Sequence, residues 1–220
     1  MSLWIKICGN TSLEDALLAA NAGADAIGFV FAPSPRQVTV DQVAKITPHL
    51  PPTLEKIGVF VDASIDEIAT AIHTCALTGV QLHSNLPATS TSELREKFGP
   101  ALRILRVVHF SPQAAEQAAA FAADPTTDAI LIDSRTATAV GGTGITFDWN
   151  AASTTLFQNA KDRKVVAAGG LNPANVAEAI TTLHPWGVDV VSGVESAPGR
   201  KDPAKLREFI SNARAAHGLK

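Results

Sequence analysis

Short apolar runs recur along the chain at intervals of 23 to 36 residues, each followed by a segment of helix-forming character. The runs are Leu3–Ile7, Ala26–Phe31, Lys56–Val61, Gly79–His83, Arg103–Val108, Asp128–Ile132, Lys164–Ala168 and Val188–Ser192. Most are near-continuous in Val, Ile, Leu and Phe. Strands read that way when both faces are covered, as in parallel sheets.

Helix-start signals lie between the runs. Ser12 with Asp15, and Ser64 with Glu67, have capping-box spacing, with Asp15 a short substitute for the usual Glu. Asn172-Pro173 and Asp202-Pro203 each set an N-cap residue before proline at the first helical position. Gly23 suits the position just past a helix end. The alanine-rich stretch Ala114–Ala123 reads as helix, not linker. Eight strands alternating with helices predict a closed (β/α)8 TIM barrel. The competitor, a doubly wound open sheet, would want a glycine-rich fingerprint after its first strand. Cys8-Gly9-Asn10-Thr11 is not one.

Composition narrows the class. The 220 residues, 46% hydrophobic and 18% charged, fit one globular domain spanning 1–220. A formal net charge of −3 leaves no basic surplus for a phosphate backbone, so nucleic acid is not an expected partner. A small phosphorylated ligand needs only a local site. Two cysteines, Cys8 and Cys75, exclude a disulfide-rich scaffold and match no zinc pattern. The first residues lack the basic and long apolar regions of a signal peptide. No stretch approaches about 18 uninterrupted apolar residues, so no membrane span is expected. A reducing cytoplasm is the expected compartment. The six histidines show no metal-ligand spacing, and no metal site is expected.

In a barrel of this kind, chemistry gathers where the strands end. Strand one ends at Cys8. The second loop carries Pro33-Ser34-Pro35-Arg36, and strand four ends at His83, which can line the pocket. Strand six ends at Asp133, and its loop holds Gly141-Gly142-Thr143-Gly144, a candidate cover for the mouth. Strand seven ends at Gly169-Gly170 and strand eight at Ser192-Gly193.

Each residue has a plainer reading. Cys8 is either a small buried hydrophobe or, next to a helix N-terminus that favours thiolate, a base or nucleophile. Asp133 is either a turn former or a general acid on an apolar rim. Arg36 is either a lone surface cation or a guanidinium held by stiff prolines to bind a carboxylate. Gly170, Ser192 and Gly193 are either turn residues or a backbone cradle for phosphate after strands seven and eight. Cys75, mid-helix, reads as packing. Strand alternation adds one pair. Lys6 faces the same way as Cys8, so an inward ammonium needs a partner, and Asp189 on the neighbouring strand eight can supply it.

Lys6-Ile7-Cys8-Gly9-Asn10-Thr11 resembles the N-terminal motif of the phosphoribosylanthranilate isomerase family of tryptophan biosynthesis. The resemblance continues through Gly28-Phe29-Val30-Phe31 with Ser34-Pro35-Arg36, Gly58-Val59-Phe60-Val61 and Val80-Gln81-Leu82-His83. It extends over Leu131-Ile132-Asp133-Ser134, Gly141-Gly142-Thr143-Gly144 and Phe147-Asp148-Trp149. Ala168-Gly169-Gly170-Leu171-Asn172-Pro173 and Asp189 to Glu195 complete the series. One departure is Ser84-Asn85, where the family commonly has glycine after the strand-four histidine.

The resemblance implies an Amadori rearrangement of N-(5-phosphoribosyl)anthranilate to 1-(2-carboxyphenylamino)-1-deoxyribulose 5-phosphate. It implies Asp133 as general acid, Cys8 as general base and Arg36 on the anthranilate carboxylate. Asp189 would lie near the anthranilate end, and the phosphate around Gly170, Ser192 and Gly193. No cofactor is implied, and the chain is expected as a monomer or homodimer. A histidine-pathway ribonucleotide isomerase would be expected to carry aspartate in place of Cys8. An indole-glycerol-phosphate synthase would need a lysine and glutamate set at the mouth. A catalytically silent barrel that only binds a phosphorylated metabolite or a protein partner is the rival from another class.

Overall fold

The computed structural model describes residues 2–83, 86–87, 89–133, 157 and 163–218. Eight parallel strands close into a barrel in sequence order, with the last beside the first. They are β1 (Trp4–Ile7), β2 (Ala26–Val30), β3 (Glu55–Phe60), β4 (Gly79–Leu82), β5 (Arg103–His109), β6 (Ala129–Asp133), β7 (Lys164–Ala168) and β8 (Gly187–Val190). Each lies within one or two residues of its predicted run. The seam between β8 and β1 sets Lys6 opposite Asp189.

Strand alternation divides the core in two. Outward positions such as Ile5, Ile27, Ile104, Ile130 and Val188 pack under the surrounding helices. Inward positions from Trp4, Ala26, Ile57, Leu105 and Leu131 fill the barrel itself with large and small side chains in alternation. Trp4 stacks on Trp186 at 5.1 Å between ring centroids and closes the bottom. Inward positions turn polar at both ends of the strands: Glu55 pairs with Arg103 at 2.6 Å at the bottom, and Lys6, Gln81, Asp133 and Asp189, all buried, stand towards the C-terminal ends.

Most helix signals act as expected. Ser12 accepts from the Asp15 amide, but Asp15 makes no reciprocal bond, because its side chain is one methylene too short. Ser64 and Glu67 form the full reciprocal box. Asp202 accepts from the Ala204 and Lys205 amides ahead of the helix Pro203–His217. Gly23 takes a positive φ of 95° just past the first helix. The helix Ala114–Ala123 is present as read.

Two local expectations shift. The helix after Asn172-Pro173 begins at Val176, with Asn175 as its cap. Asn172 instead accepts from the Ala174 amide in a side-chain turn. Cys75 is the last residue of its helix rather than a middle one; it is fully buried, and its thiol donates to the Val40 carbonyl at 3.4 Å. The glycine loop 141–144, the segment 147–149 and the Ser84-Asn85 departure lie outside the described residues.

Candidate active site

The site begins with β1. Lys6 is fully buried, and its Nζ donates to Asp189 Oδ1 at 2.8 Å and to Gln81 Oε1 at 2.8 Å. The Lys6–Asp189 pair therefore stands where strand alternation placed it. Burial works against the Lys6 ammonium, but Asp189, and then Cys8, outweigh it and its pKa is raised. Gln81 is a partner that sequence reasoning missed. Alternation along β4 turns it inward like Gly79, and that was its only signal.

Removing one member of a buried pair strands the other charge. Asp189→Asn is expected to cost about 3–5 kcal/mol of stability, read as a lower urea midpoint. Unchanged stability with a collapsed kcat would instead place Asp189 in the chemistry.

Cys8 follows, two residues on, with only 3% of its surface exposed. Its amide donates to Val190 O at 2.9 Å, which fixes the end of β1 against β8. The thiol lies over Gly28 of β2 so closely that any Cβ there would collide with Sγ. Asn10, fully buried, donates through its side chain to Ile7 O at 2.8 Å and Gly28 O at 3.3 Å. It pins the turn after β1 to both strands.

The helix N-terminus does not govern the thiol. Burial pushes the Cys8 pKa above its ordinary value of 9.0, and this outweighs the lowering by Lys6. Asp189 adds to the rise, and Lys201 opposes it. The thiolate thus forms against a desolvation cost, with Lys6 as its counterion.

A titration checks this. In a Cys75→Ala protein Cys8 is the sole thiol, and its thiolate absorbance near 240 nm should appear only above pH 9. In the unfolded chain it appears at about pH 8.5. Between the two midpoints the native state keeps a proton that the unfolded chain releases, so this thiol's effect lowers stability as pH rises. A midpoint below the unfolded value would restore the thiolate-favouring helix terminus as the dominant influence.

Asp133 ends β6, three strands from β1 by way of β7 and β8, and is buried. In register beside it stands His109 of β5. His109 Nε2 lies 3.2 Å from Nδ1 of His83, which follows β4. The inner ring nitrogen of His109, Nδ1, is buried and makes no hydrogen bond among the described residues. His109 was not anticipated. Its signal was alternation from Leu105 and Val107, continued two residues to the strand's true end.

Arg36 is not a lone cation. Its Nε donates to Glu195 Oε1 at 2.9 Å, and Nη2 donates to Oε2 at 2.6 Å. Gly9, with φ of 74°, leaves room for the arginine stem, since a Cβ there would meet Arg36 Cδ at 2.8 Å. Glu195 opens a short hairpin, β9 (Glu195–Ala197) and β10 (Arg200–Lys201), inserted before the last helix. Lys201 Nζ, fully buried, donates to Cys8 O at 2.6 Å, Glu195 Oε1 at 3.2 Å and Val191 O at 3.5 Å. Thr11 Oγ1 donates to Gly199 O at 2.7 Å and ties the hairpin to the β1 loop. Burial raises the Glu195 carboxyl pKa, but Arg36 and Lys201 more than reverse it, so it sits below its ordinary value. Burial also lowers the Lys201 pKa, against Glu195.

The last two strands meet in a small hollow. Gly169, Gly170, Leu171, Asp189 and Ser192 are among the residues that line it. Gly170 has φ of 66° and open space where a side chain would stand. Gly193 lies in a 3-10 turn, Ser192–Val194, not in a simple loop. It packs against the Leu171 backbone, where a Cβ would collide. The two glycine loops are thus held together, with space beside Gly170.

A closed parallel barrel with a buried thiol and carboxyl, a part-buried guanidinium and a glycine hollow at its C-terminal rim defines a class. It is that of (β/α)8-barrel enzymes, whose sites lie where the strands end. Residues 5–212 match the family model of N-(5'-phosphoribosyl)anthranilate isomerase, and the chain belongs to that family. A relative in Pelobacter propionicus, N-(5'-phosphoribosyl)anthranilate isomerase, is 43% identical over 96% of this chain and 95% of its own length. The Thermotoga maritima phosphoribosyl anthranilate isomerase structure superposes with a TM-score of 0.83 at 39% identity, covering 97% of this chain and 99% of that one. A structure of such an isomerase in complex with reduced 1-(o-carboxyphenylamino)-1-deoxyribulose 5-phosphate also gives 0.83, at 35% identity and the same coverage.

Proposed function

We propose that the domain spanning 1–220 catalyses the Amadori rearrangement of its family, with Cys8 and Asp133 as the acid–base pair. The single observation that carries this is placement. A buried thiol just past β1, backed by the Lys6 ammonium, and a buried carboxyl at the end of β6 stand three strands apart at the same C-terminal end of the barrel.

Asp133 delivers a proton to the ribose ring oxygen. The bond between that oxygen and C1 breaks, and the nitrogen lone pair forms a protonated Schiff base. Cys8 takes the proton from C2. The released electron pair becomes the C1–C2 double bond, and the nitrogen recovers its lone pair as an enolamine. Gain of a proton at C1 and loss of one from the C2 hydroxyl give the ketose, so atoms and charge balance over the cycle. Arg36 holds the anthranilate carboxylate, and Asp189 lies beneath the anthranilate end while fixing Lys6. Backbone amides around Gly170, Ser192 and Gly193 hold the phosphate.

The reaction needs no cofactor in this scheme and belongs to tryptophan biosynthesis. All the groups named come from one chain, so a monomer suffices, and a homodimer would carry two complete sites. Among the described residues no helix is long and apolar enough to cross a membrane. A reducing cytoplasm suits an enzyme whose base is a free thiol.

Turnover tests the proposal. Purified protein should consume phosphoribosylanthranilate, with loss of anthranilate-type fluorescence. Binding of that substrate without turnover would leave only a phosphate-binding barrel.

A further inference from the structure

We propose that Lys201 is a positioning residue that sets the charge with which Arg36 meets the substrate carboxylate. The inference rests on the reading of Arg36 as the carboxylate-binding group.

The Arg36 guanidinium is gripped on Nε and Nη2 by a nearly buried glutamate, side-chain exposure 4%. Taken alone, that pair is neutral and would attract an anion weakly. Lys201 changes the balance. Its Nζ faces three oxygens, those of Cys8, Val191 and Glu195. Three acceptors match the three N–H bonds of an ammonium. Arginine is always charged, and Glu195 is held ionised by two cations. The triad therefore carries a net charge of about +1.

That charge is offered on one side. Among the described residues, Arg36 Nη1 makes no hydrogen bond, and the side chain is 18% exposed while Lys201 is fully enclosed. Glu195 thus orients the guanidinium, and Lys201 cancels the charge that orientation costs. The bond from Lys201 to the Cys8 carbonyl also couples the clamp to the residue proposed as base. A hairpin inserted after β8 so acts on the two ends of the substrate chemistry at once.

The test reads the sign of charge changes. Two stable ligands are titrated by calorimetry. One is the reduced product, the 1-(2-carboxyphenylamino)-1-deoxy sugar alcohol 5-phosphate. The other is its phenylamino counterpart without the carboxylate. Lys201→Met takes the triad from +1 to neutral and should weaken the carboxylated ligand on the order of 10-fold, with the carboxylate-free ligand within about 2-fold. Glu195→Gln takes it to +2 and should tighten the carboxylated ligand alone. The double variant Lys201→Met/Glu195→Gln returns to +1 and should recover most of the loss.

A merely structural role predicts otherwise. Both single variants would then weaken both ligands, and the double variant would be no better than either; that result overturns the proposal. If Lys201→Met does not fold, Glu195→Gln decides, since absence of carboxylate-specific tightening overturns it equally. Arg36→Met separates the underlying reading. Equal weakening of both ligands there removes Arg36 from the carboxylate, whereas carboxylate-specific weakening in Arg36→Met but not in Lys201→Met rejects only the role of Lys201.

Discussion

Replacing Cys8 with serine lowers kcat by about 10²- to 10⁴-fold and leaves the barrel folded, the range expected for loss of one acid–base group. The substitution changes one atom. Sulfur gives way to a smaller, far less acidic oxygen in a nearly buried site packed between β1, β2 and β8. Space is no obstacle, because the crowding at Gly28 is relieved by the smaller atom. The Lys6 ammonium keeps Asp189 and Gln81, so the buried pair beneath the site survives. A hydroxyl at this position cannot take up the C2 proton at neutral pH as a thiolate can. The measurement is steady-state turnover of phosphoribosylanthranilate, with thermal unfolding as the control for fold. Full activity in the serine variant would remove Cys8 from catalysis and return it to packing.

Asp133→Asn is the second large effect, again about 10²- to 10⁴-fold in kcat with stability retained. The amide keeps the shape of the carboxyl, and the β5–β6 ladder does not depend on its side chain; the Phe110 amide bonds to the Asp133 carbonyl. What the amide lacks is an acidic proton for the ring oxygen, so ring opening should become rate-limiting. An already opened substrate separates the two roles. Supplied with a preformed open-chain Schiff base, the Asn variant should regain more of its activity than the Ser variant does. Equal deficits on both substrates would overturn the division into ring-opening acid and C2 base.

How much of this was legible in the residues differs by element. The eight strands were, because parallel strands buried on both faces leave short continuous apolar runs, and the helix-start signals between them bound each run. The Lys6–Asp189 pair was also legible. It needed only alternation within β1 and the rule that a closed barrel sets its last strand beside its first. Local chemistry gave the Ser64–Glu67 box and the Asp202-Pro203 start, because both act within one turn of chain.

The clamp around Arg36 was not legible. Arg36 and Glu195 are 159 positions apart, and Lys201 and Cys8 are 193 apart. No local signal links such residues, and the proline-stiffened segment at Arg36 said only that the guanidinium is held, not by what. His109 escaped for a related reason. Its strand runs one residue past the apolar run, and only the ladder to Asp133 shows it there.

From the sequence by itself came the element order, the closed barrel and the rim residues that resemble one isomerase family. Those depend on periodicity, capping and motif, which are properties of neighbouring residues. Tertiary structure alone decided that the Cys8 thiol is raised rather than lowered, that Gln81 shares the Lys6 ammonium, and that Arg36 answers to Glu195 and Lys201. The reason is that charge in a protein interior is set by desolvation and by the few groups within bonding reach. Barrel closure, not chain order, chooses those neighbours.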